Sequence, residues 1–211
     1  MKHSIFKENR RYTFSDYFNM TAPTDEIVAE FGYTFGMERL VLPQSTTFDP
    51  AIVQRLNELY ETILARISMN SEMAKREFLI APLITEIARH TTARINVEYA
   101  LEIDDKLGGS LDYLLRAPQE LIVIEAKKKD VDSGFNQLAA ELIALDKYEA
   151  TASTILYGAV TLGDIWKFGT LDRQRKYIAK HIRTHTIPDD TGEVFGILMG
   201  ILGDAVITTA P

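Results

Sequence analysis

One short stretch, residues 108–130, constrains this chain more than any other part of it. Its sequence is GGSLDYLLRAPQELIVIEAKKKD, in which two apolar runs flank a polar segment that contains a proline. Apolar runs separated in this way predict a β-hairpin with a short loop. A carboxylate interrupts each predicted strand, Asp112 in the first and Glu125 in the second.

The loop determines which residues face each other across the hairpin. A symmetrical loop, closed either by Ala117 and Glu120 or by Arg116 and Leu121, places Asp112 opposite Glu125. Side chains alternate between the two faces of a strand, so Glu125 and Lys127 share one face with Asp112. The apolar residues between them point to the other face.

Two carboxylates in this arrangement need a positive partner. Directly opposed residues hold their Cβ atoms about 4.5–5.5 Å apart, and like charges at that separation destabilise a sheet. Mg²⁺ fits, because it is usually held by one or two carboxylates together with water and substrate phosphate. Lys127 then supplies a fixed charge, or a proton donor or acceptor, beside the metal. The alternative is a surface hairpin in which Glu125 and Lys127 form a solvated pair.

These residues resemble the signature of a known superfamily. Asp112 followed by Glu125-Ala126-Lys127 is similar to the motif of the PD-(D/E)XK nucleases, with Leu111 where the motif name has its proline. The resemblance implies the restriction-endonuclease-like fold, an α/β architecture with a central mixed sheet of about five strands flanked by helices. It also implies metal-dependent hydrolysis of phosphodiester bonds, above all in DNA.

The resemblance further implies a role for each residue of the motif. Asp112, Glu125 and the backbone carbonyl of Ala126 hold one or two Mg²⁺ ions, for which Mn²⁺ can substitute. The metal lowers the pKa of a bound water and offsets the charge that builds on the phosphate. Lys127 positions or activates that water.

A second segment carries a related resemblance. Residues 71–89, SEMAKREFLIAPLITEIAR, are similar to the first helix of the nuclease domain in type I restriction motor subunits. In the superfamily this helix often contributes an acid to the metal site. Glu72 matches that position best, and Glu86, fourteen residues later and nearly on the same helical face, competes with it. A solvated surface glutamate is the alternative for either, and Pro82 should kink or split the helix.

The hairpin is followed by a predicted helix over residues 135–150, in which Phe135, Leu138, Leu142 and Leu145 form the predicted buried stripe. Gln137 lies in its first turn, and the superfamily resemblance implies that a glutamine here approaches the active site. An exposed amide is the alternative. Between hairpin and helix, Lys128 and Lys129 are candidates for phosphate contacts. The alternative is that both side chains point into solvent.

A basic segment lies further along, over residues 167–183. It has six basic residues against one acid, so a basic strip can coexist with an acidic body. We take Arg173, Arg175 and Lys176 as its candidate nucleic-acid-binding residues. The pattern of residues 173–185 fits a strand followed by a helix, or a helix alone.

The length of 211 residues fits one domain with a full core. We predict an amino-terminal extension packed on the body at residues 1–47 and the nuclease-like domain at 48–211. Periodicity predicts a core-facing helix from Asp49 and strands at 95–103, 155–161 and 165–168. The last helix, at 194–202, is apolar, which leaves two options, docking on the core or forming a homodimer.

Composition sets wider bounds. Hydrophobic residues make up 46% and charged residues 25%, as in ordinary globular proteins. With no cysteine, a disulfide framework and a thiolate metal site are excluded. We expect a cytoplasmic protein, because the start lacks the apolar core of a signal peptide and no run approaches the roughly 20 apolar residues of a membrane span.

The net charge of the chain is compatible with functions other than DNA cleavage. A net charge of −7 argues against general, tight binding to DNA, whose non-specific affinity comes from Lys and Arg. A catalytically inactive module that binds nucleic acid or a protein partner is therefore a second hypothesis. A third is a structural protein that oligomerises through its last helix.

Overall fold

The computed structural model describes residues 4–7, 9–117, 121–127, 129–148 and 153–203. The described helices, with a π-helical segment at Arg76–Ile80 between the fourth and fifth, are α1 (Phe14–Phe18), α2 (Thr24–Ala29), α3 (Pro50–Arg66), α4 (Glu72–Lys75), α5 (Ala81–His90), α6 (Val131–Tyr148) and α7 (Thr191–Leu202). The described strands are β1 (Thr34–Glu38), β2 (Arg94–Asp104), β3 (Leu107–Arg116), β4 (Leu121–Ala126), β5 (Ile155–Thr161), β6 (Ile165–Asp172), β7 (Tyr177–His181) and β8 (His185–Thr186).

A single mixed sheet forms the centre of the protein. Its strands run in the order β1-β7-β6-β5-β4-β3-β2, and β8 pairs with β6. The pairs β1/β7 and β4/β5 are parallel and the others are antiparallel. The predicted α/β class with a helix-flanked mixed sheet is confirmed, but the described sheet has eight strands and not about five. The additional strands come from the amino-terminal region and from the basic segment.

Helices cover both faces of this sheet. The side chains of α1, α2 and α6 pack with one face, in a core that includes Phe14, Leu138 and Val160. Helices α3, α5 and α7 pack on the other face, in a core that includes Leu83 and Trp166. Because strand side chains alternate, neighbouring residues of β4 and β5 face different helical layers.

The amino-terminal residues belong closely to this architecture. Phe14 and Tyr17 of α1 are buried against the α6 face. Further on, β1 joins the edge of the sheet, where Thr34 to Glu38 pair in parallel with β7. The amino-terminal region therefore packs on the body and also extends its sheet.

The predicted break at Pro82 takes the form of a π-helical segment. Ser71 caps α4 by accepting a hydrogen bond from the Ala74 amide at 3.0 Å. The π turn at Arg76–Ile80 then leads directly into α5, which has Pro82 in its first turn. Since proline lacks an amide proton and clashes with the preceding turn, regular α-helix cannot continue through it. Residues 72–90 thus form two α-helices joined by the π-helical segment.

Helix α6 begins at Val131, earlier than the predicted residue 135. Asp130 explains the difference, because its Oδ1 accepts hydrogen bonds from the amides of Asp132 and Ser133, both at 3.1 Å. The predicted buried stripe is confirmed at Phe135, Leu138, Leu142 and Leu145, each 0% exposed.

Residues 173–185 form neither a helix nor a strand followed by a helix, because they contain β7 and the first residue of β8. Two lysines of the basic segment, Lys167 and Lys180, are buried in strands, and each ammonium group has polar partners. Lys180 pairs with Asp132, and Lys167 donates to the Ile182 carbonyl at 3.0 Å and to Thr184 Oγ1 at 3.1 Å.

The last helix docks on the core. Val194, Phe195 and Leu198 of α7 are 0% exposed and lie in the core that covers the α3 and α5 side of the sheet. Its apolar character is therefore accounted for within one chain.

We expect Gly158→Ala to destabilise the fold by about 1–3 kcal/mol, the usual cost of overpacking a core. A Cβ on Gly158 of β5 would lie 2.8 Å from Cδ1 and 3.1 Å from Cδ2 of Leu138, a fully buried residue of α6. Gly192→Ala serves as the matched control, because its Cβ would meet nothing closer than 3.5 Å. Urea denaturation measures both. Equal stability of the two variants would contradict the packing described for α6.

Candidate active site

The hairpin of β3 and β4 has the predicted register. Arg116 pairs with Leu121, and the ladder continues to Tyr113 and Ile124. One residue further along both strands come Asp112 and Glu125, beyond the last backbone pair. The two carboxylates are close enough for the charge of Asp112 to raise the pKa of Glu125. The structure therefore brings together the two acids that the sequence analysis singled out.

Glu125 is a buried carboxylate with two different oxygens. Its side chain is 1% exposed and points towards α6. Oε1 accepts a hydrogen bond from Gln137 Nε2 at 2.7 Å and pairs with the Lys127 ammonium group. Oε2 is buried and has no hydrogen-bond partner among the described residues. An orphaned buried oxygen is costly unless a cation or a water satisfies it.

Lys127 stands at the end of β4, on the same face as Glu125. Its side chain is 12% exposed, and its ammonium nitrogen lies 5.3 Å from the centre of the Phe18 ring. Burial alone lowers the pKa of Lys127, but the carboxylates of Glu125, Asp112 and Glu141 outweigh it and raise the pKa above its usual value. Lys127 therefore carries a positive charge at neutral pH.

Asp112 lies at the more open side of the site. Its side chain is 17% exposed, and Oδ1 is 3.5 Å from Nη1 of Arg76. Arg76 comes from the π-helical segment and lies over the Tyr113 ring at 5.2 Å. The site is thus bounded by α6 on the buried side and by Arg76 on the open side.

Gln137 is buried, not an exposed amide. It is 2% exposed, and its Nε2 donates both to Glu125 and, at 2.9 Å, to Glu141 Oε1. The prediction that this glutamine approaches the hairpin acids agrees with its position. Asp130, which starts α6 four residues earlier than predicted, places Gln137 in the second turn.

Glu141 is a member of the cluster that the sequence reasoning missed. It is 0% exposed, and its Oε2 has no hydrogen-bond partner within the described part of the chain. The signal was present in the sequence, because position 141 lies between Leu138 and Leu145 on the stripe predicted to be buried. An acid at a core position one helical turn after Gln137 indicates a buried polar network.

Burial and mutual repulsion determine the ionisation of these acids. Burial raises the pKa of Glu125 well above its usual range, and the neighbouring Glu141 and Asp112 raise it further. Burial also raises the pKa of Glu141 from 4.5 to about 8, although its hydrogen bond with Gln137 acts in the opposite sense. Two buried carboxylates beside one ammonium group therefore hold a proton between them at neutral pH when no further cation is present.

The two candidate helix acids lie in different places. Glu72 lines a groove of about 590 Å³ together with Arg76 and Tyr113, next to Asp112. Glu86 is 17% exposed and pairs with Arg89 at 3.0 Å and with His90 at 3.6 Å. The fourteen-residue spacing does not keep the two acids on one face, because the π-helical segment between them changes the rotation per residue.

Three of the predicted nucleic-acid-binding residues, Arg173, Arg175 and Lys176, do not lie at this site. Lys128 lies outside the described residues, and Lys129 is exposed. Arg173 is held by Asp146, with Nε to Oδ1 at 2.6 Å, so its guanidinium is engaged in the fold. Arg175 and Lys176 are exposed on the turn between β6 and β7.

That turn lies at the far end of the sheet. Asp172 pairs with Ile155 at the start of β5, whereas Glu125 pairs with Val160 near the end of β5. Five residues of strand separate the two ends, about 17 Å at the usual rise per residue. The exposed basic turn with Arg175 and Lys176 therefore lies away from the acids.

The acids fit a divalent cation in their chemistry. Asp112 and Glu125 offer two carboxylates from adjacent strands, and Glu125 Oε2 is an oxygen without a partner in the described structure. Mg²⁺ is usually bound through one or two carboxylates with several waters retained, so two protein acids suffice. In the described ranges, no group of three or more His, Asp or Glu side chains is arranged to hold a metal by itself. Of the proposed ligands, Asp112 and Glu125 are the carboxylates that such a site would use.

Comparisons with known proteins add no family. No protein-family model matches the chain, and no curated protein is similar to it. Over the part of the chain that the structure describes, no helix has both the length and the apolar character needed to cross a membrane. The geometry of the site is therefore the basis on which a function can be assigned.

The raised pKa of Glu141 predicts a pH-dependent stability. Between about pH 4.5 and about pH 8 the folded chain keeps a proton that the unfolded chain has lost. The stabilisation associated with neutral Glu141 is complete below about pH 4.5 and is lost as the pH rises towards about 8. Glu141→Gln cannot titrate, so we expect the wild type to lose stability relative to this variant as the pH rises from 5 to 8.

Urea denaturation in metal-free buffer at several pH values measures this difference. Glu77→Gln, at an exposed position, controls for the removal of one negative charge. A stability difference between wild type and Glu141→Gln that stays constant across the range would show that Glu141 has an ordinary pKa.

Proposed function

We propose that this protein is a metal-dependent nuclease that hydrolyses phosphodiester bonds in DNA, with Asp112, Glu125 and Lys127 at its active site. One observation carries the proposal. Two carboxylates from adjacent strands and one charged lysine form a partly buried cluster, in which Glu125 Oε2 has no hydrogen-bond partner among the described residues. Perturbed carboxylates of this kind concentrate at functional sites.

The geometry supports separate roles for the two oxygens of Glu125. Oε1 is occupied by Lys127 and Gln137, which leaves Oε2 as the oxygen available to a cation. Asp112 contributes the second carboxylate from β3. A bound Mg²⁺ or Mn²⁺ supplies a water of lowered pKa and charge stabilisation at the phosphate.

Lys127 acts in this proposal as a cation rather than as a base. Its pKa is raised by the surrounding carboxylates, so its ammonium group keeps its proton at neutral pH. It therefore orients the attacking water or a phosphate oxygen by donating hydrogen bonds, and it stabilises the negative charge that develops during the reaction. Abstraction of a proton by Lys127 is disfavoured.

The order of elements supports a restriction-endonuclease-like fold. An antiparallel meander, β2-β3-β4, is followed by α6 and by β5 in parallel with β4. The acids lie on β3 and at the end of β4, and the following helix supplies Gln137, which matches the arrangement that the motif implies. We therefore place the chain among the PD-(D/E)XK nucleases as part of the same proposal.

The groove beside Asp112 offers a place for substrate. Arg76 lies between this groove and Asp112, and Glu72, Met73 and Tyr113 also line it. A guanidinium is suited to bidentate contact with a phosphate. Arg76 is thus a better candidate for a backbone contact close to the site than Arg173, Arg175 or Lys176.

A catalytically inactive binding module is the second candidate, and one observation favours it. The chain has a net charge of −7, and the exposed basic turn lies at the end of the sheet opposite to the acids. Phosphate contacts concentrated at that turn would bind nucleic acid without bringing it to Glu125. A protein partner for this module is equally compatible with the charge.

The test is cleavage of plasmid, single-stranded DNA and RNA in Mg²⁺ or Mn²⁺. We expect the wild type to cut DNA, and Lys127→Ala and Asp112→Asn to lose at least about 10²-fold in rate, the usual effect of removing an electrostatic stabiliser. Both variants should remain folded, because the positions lie at the end of the hairpin ladder.

Lys147→Ala is the matched control, since it removes an exposed lysine in the last turn of α6, at the opposite end of that helix from Gln137. It should cut as the wild type does. Undiminished cleavage by Lys127→Ala would refute the assignment of the site. Binding of labelled DNA by the wild type without turnover in either metal would favour the inactive module.

A further inference from the structure

We propose that Glu141 is a positioning residue that fixes Glu125 through Gln137, so that one oxygen of Glu125 stays available for a divalent cation. This inference rests on the proposed function for the role of Glu125, although the contacts on which it depends are independent of any metal. Nothing in the superfamily motif, as read in this chain, includes Glu141.

The amide of Gln137 makes two directional contacts. Its Nε2 donates to Glu125 Oε1 at 2.7 Å and to Glu141 Oε1 at 2.9 Å. An amide nitrogen has two protons, so these contacts use its whole donor capacity. The Gln137 side chain is held from both sides, by β4 and by the next turn of its own helix.

Removal of either acceptor, the carboxylate of Glu125 or that of Glu141, would free the Gln137 side chain to move. Without Glu141, one proton of the Gln137 amide would be left buried without a partner, at a site where Gln137 is 2% exposed. Gln137 would then change rotamer and lose its hydrogen bond to Glu125 Oε1. Glu125 would in turn keep only the Lys127 ammonium group as a partner for Oε1.

The unsatisfied atoms show where the network is incomplete. Glu125 Oε2, Gln137 Oε1 and Glu141 Oε2 are all buried without hydrogen-bond partners in the described part of the protein. Three acceptor oxygens without partners, beside a single ammonium group, form a region that attracts a cation or water. Glu141 is completely buried behind Glu125, whereas Asp112 is 17% exposed, so a hydrated cation is held at the Asp112 side and Glu141 acts from behind.

A purely structural role for Glu141 predicts a different outcome. A buried carboxylate retained only for packing could be replaced by an apolar side chain of similar length with little change in the site. A positioning role requires that an acceptor remain at this place. Glu141→Gln keeps an acceptor for Gln137 and the same shape, whereas Glu141→Met keeps the length but removes the acceptor.

The experiment measures Mn²⁺ binding to the metal-stripped full chain by calorimetry and electron paramagnetic resonance. We expect Glu141→Gln to bind as the wild type does. Glu141→Met should bind about 10- to 100-fold more weakly, the usual effect of removing an outer partner of a metal ligand. Gln137→Met should show a similar loss, and the double variant should lose no more than either single variant, because the two residues act in series.

Two further measurements separate this role from a loss of folding. Thermal unfolding should show that each variant is folded at the temperature of the titration. The side-chain amide protons of Gln137, assigned by their absence in Gln137→Met, should be resolved and slow to exchange in the metal-free wild type and in Glu141→Gln. In Glu141→Met they should become averaged and exchange rapidly.

Asn136→Ala is the matched control on α6. Asn136 is also buried, and its Oδ1 accepts a hydrogen bond from Thr24 Oγ1 at 2.6 Å, away from the acids. This variant perturbs the helix without touching the Gln137 contacts, so it should bind Mn²⁺ as the wild type does.

The outcomes distinguish the inference from the proposed function. Unchanged Mn²⁺ affinity and unchanged Gln137 amide signals in Glu141→Met overturn the positioning role, as do additive losses in the double variant. Failure of the wild type to bind Mn²⁺ refutes the metal-dependent function. In that event the amide signals alone decide whether Glu141 fixes Gln137.

Discussion

Burial of two carboxylates against a single ammonium group is the interaction on which the site depends. Glu125 and Glu141 are almost completely buried, and Lys127 is the one basic group recorded in contact with them in the described structure. Removing a charge from water costs several kcal/mol even after relaxation. The chain offsets this cost partly by hydrogen bonds from Gln137 and partly by keeping a proton on the pair.

Such an arrangement adds little to the stability of the fold. An apolar residue at position 141 would continue the stripe of Leu138, Leu142 and Leu145 without any desolvation cost. Departures from good core packing are expected at functional sites, where a local penalty is tolerated for chemistry. A divalent cation beside Glu125 would offset the excess of negative charge and remove the need for the retained proton.

The sheet topology explains why these groups meet. Strand β4 is antiparallel to β3 on one side and parallel to β5 on the other, and α6 is the connection between the two parallel strands. The hairpin therefore delivers Asp112 beside Glu125, and the crossover helix places Gln137 and Glu141 over the same strand end. Three consecutive elements are enough to assemble the cluster.

The register of the hairpin could be predicted from the sequence because it depends on local features. A short loop between two apolar runs leaves one symmetrical pairing, and strand alternation then fixes the face of Asp112, Glu125 and Lys127. The same reasoning found the buried stripe of α6 and the interruption at Pro82. These predictions depend on neighbours in the chain.

The errors arose where distant contacts determine the structure. Lys180 reads as a surface residue in the sequence, yet on β7 it is buried and pairs with Asp132 of α6. The sequence is compatible with either an exposed or a buried Gln137, because its burial depends on the contact with Glu125 of another element. The relation between Glu72 and Glu86 depended on an unbroken helix, which the π-helical segment excludes.

The most direct test of the central claim is the position of a bound metal. A crystal of the wild-type protein soaked in Mn²⁺ should show an anomalous scattering peak about 2.0–2.3 Å from carboxylate oxygens of both Asp112 and Glu125. A crystal saturated with Mn²⁺ that shows no peak between these two side chains would contradict the account.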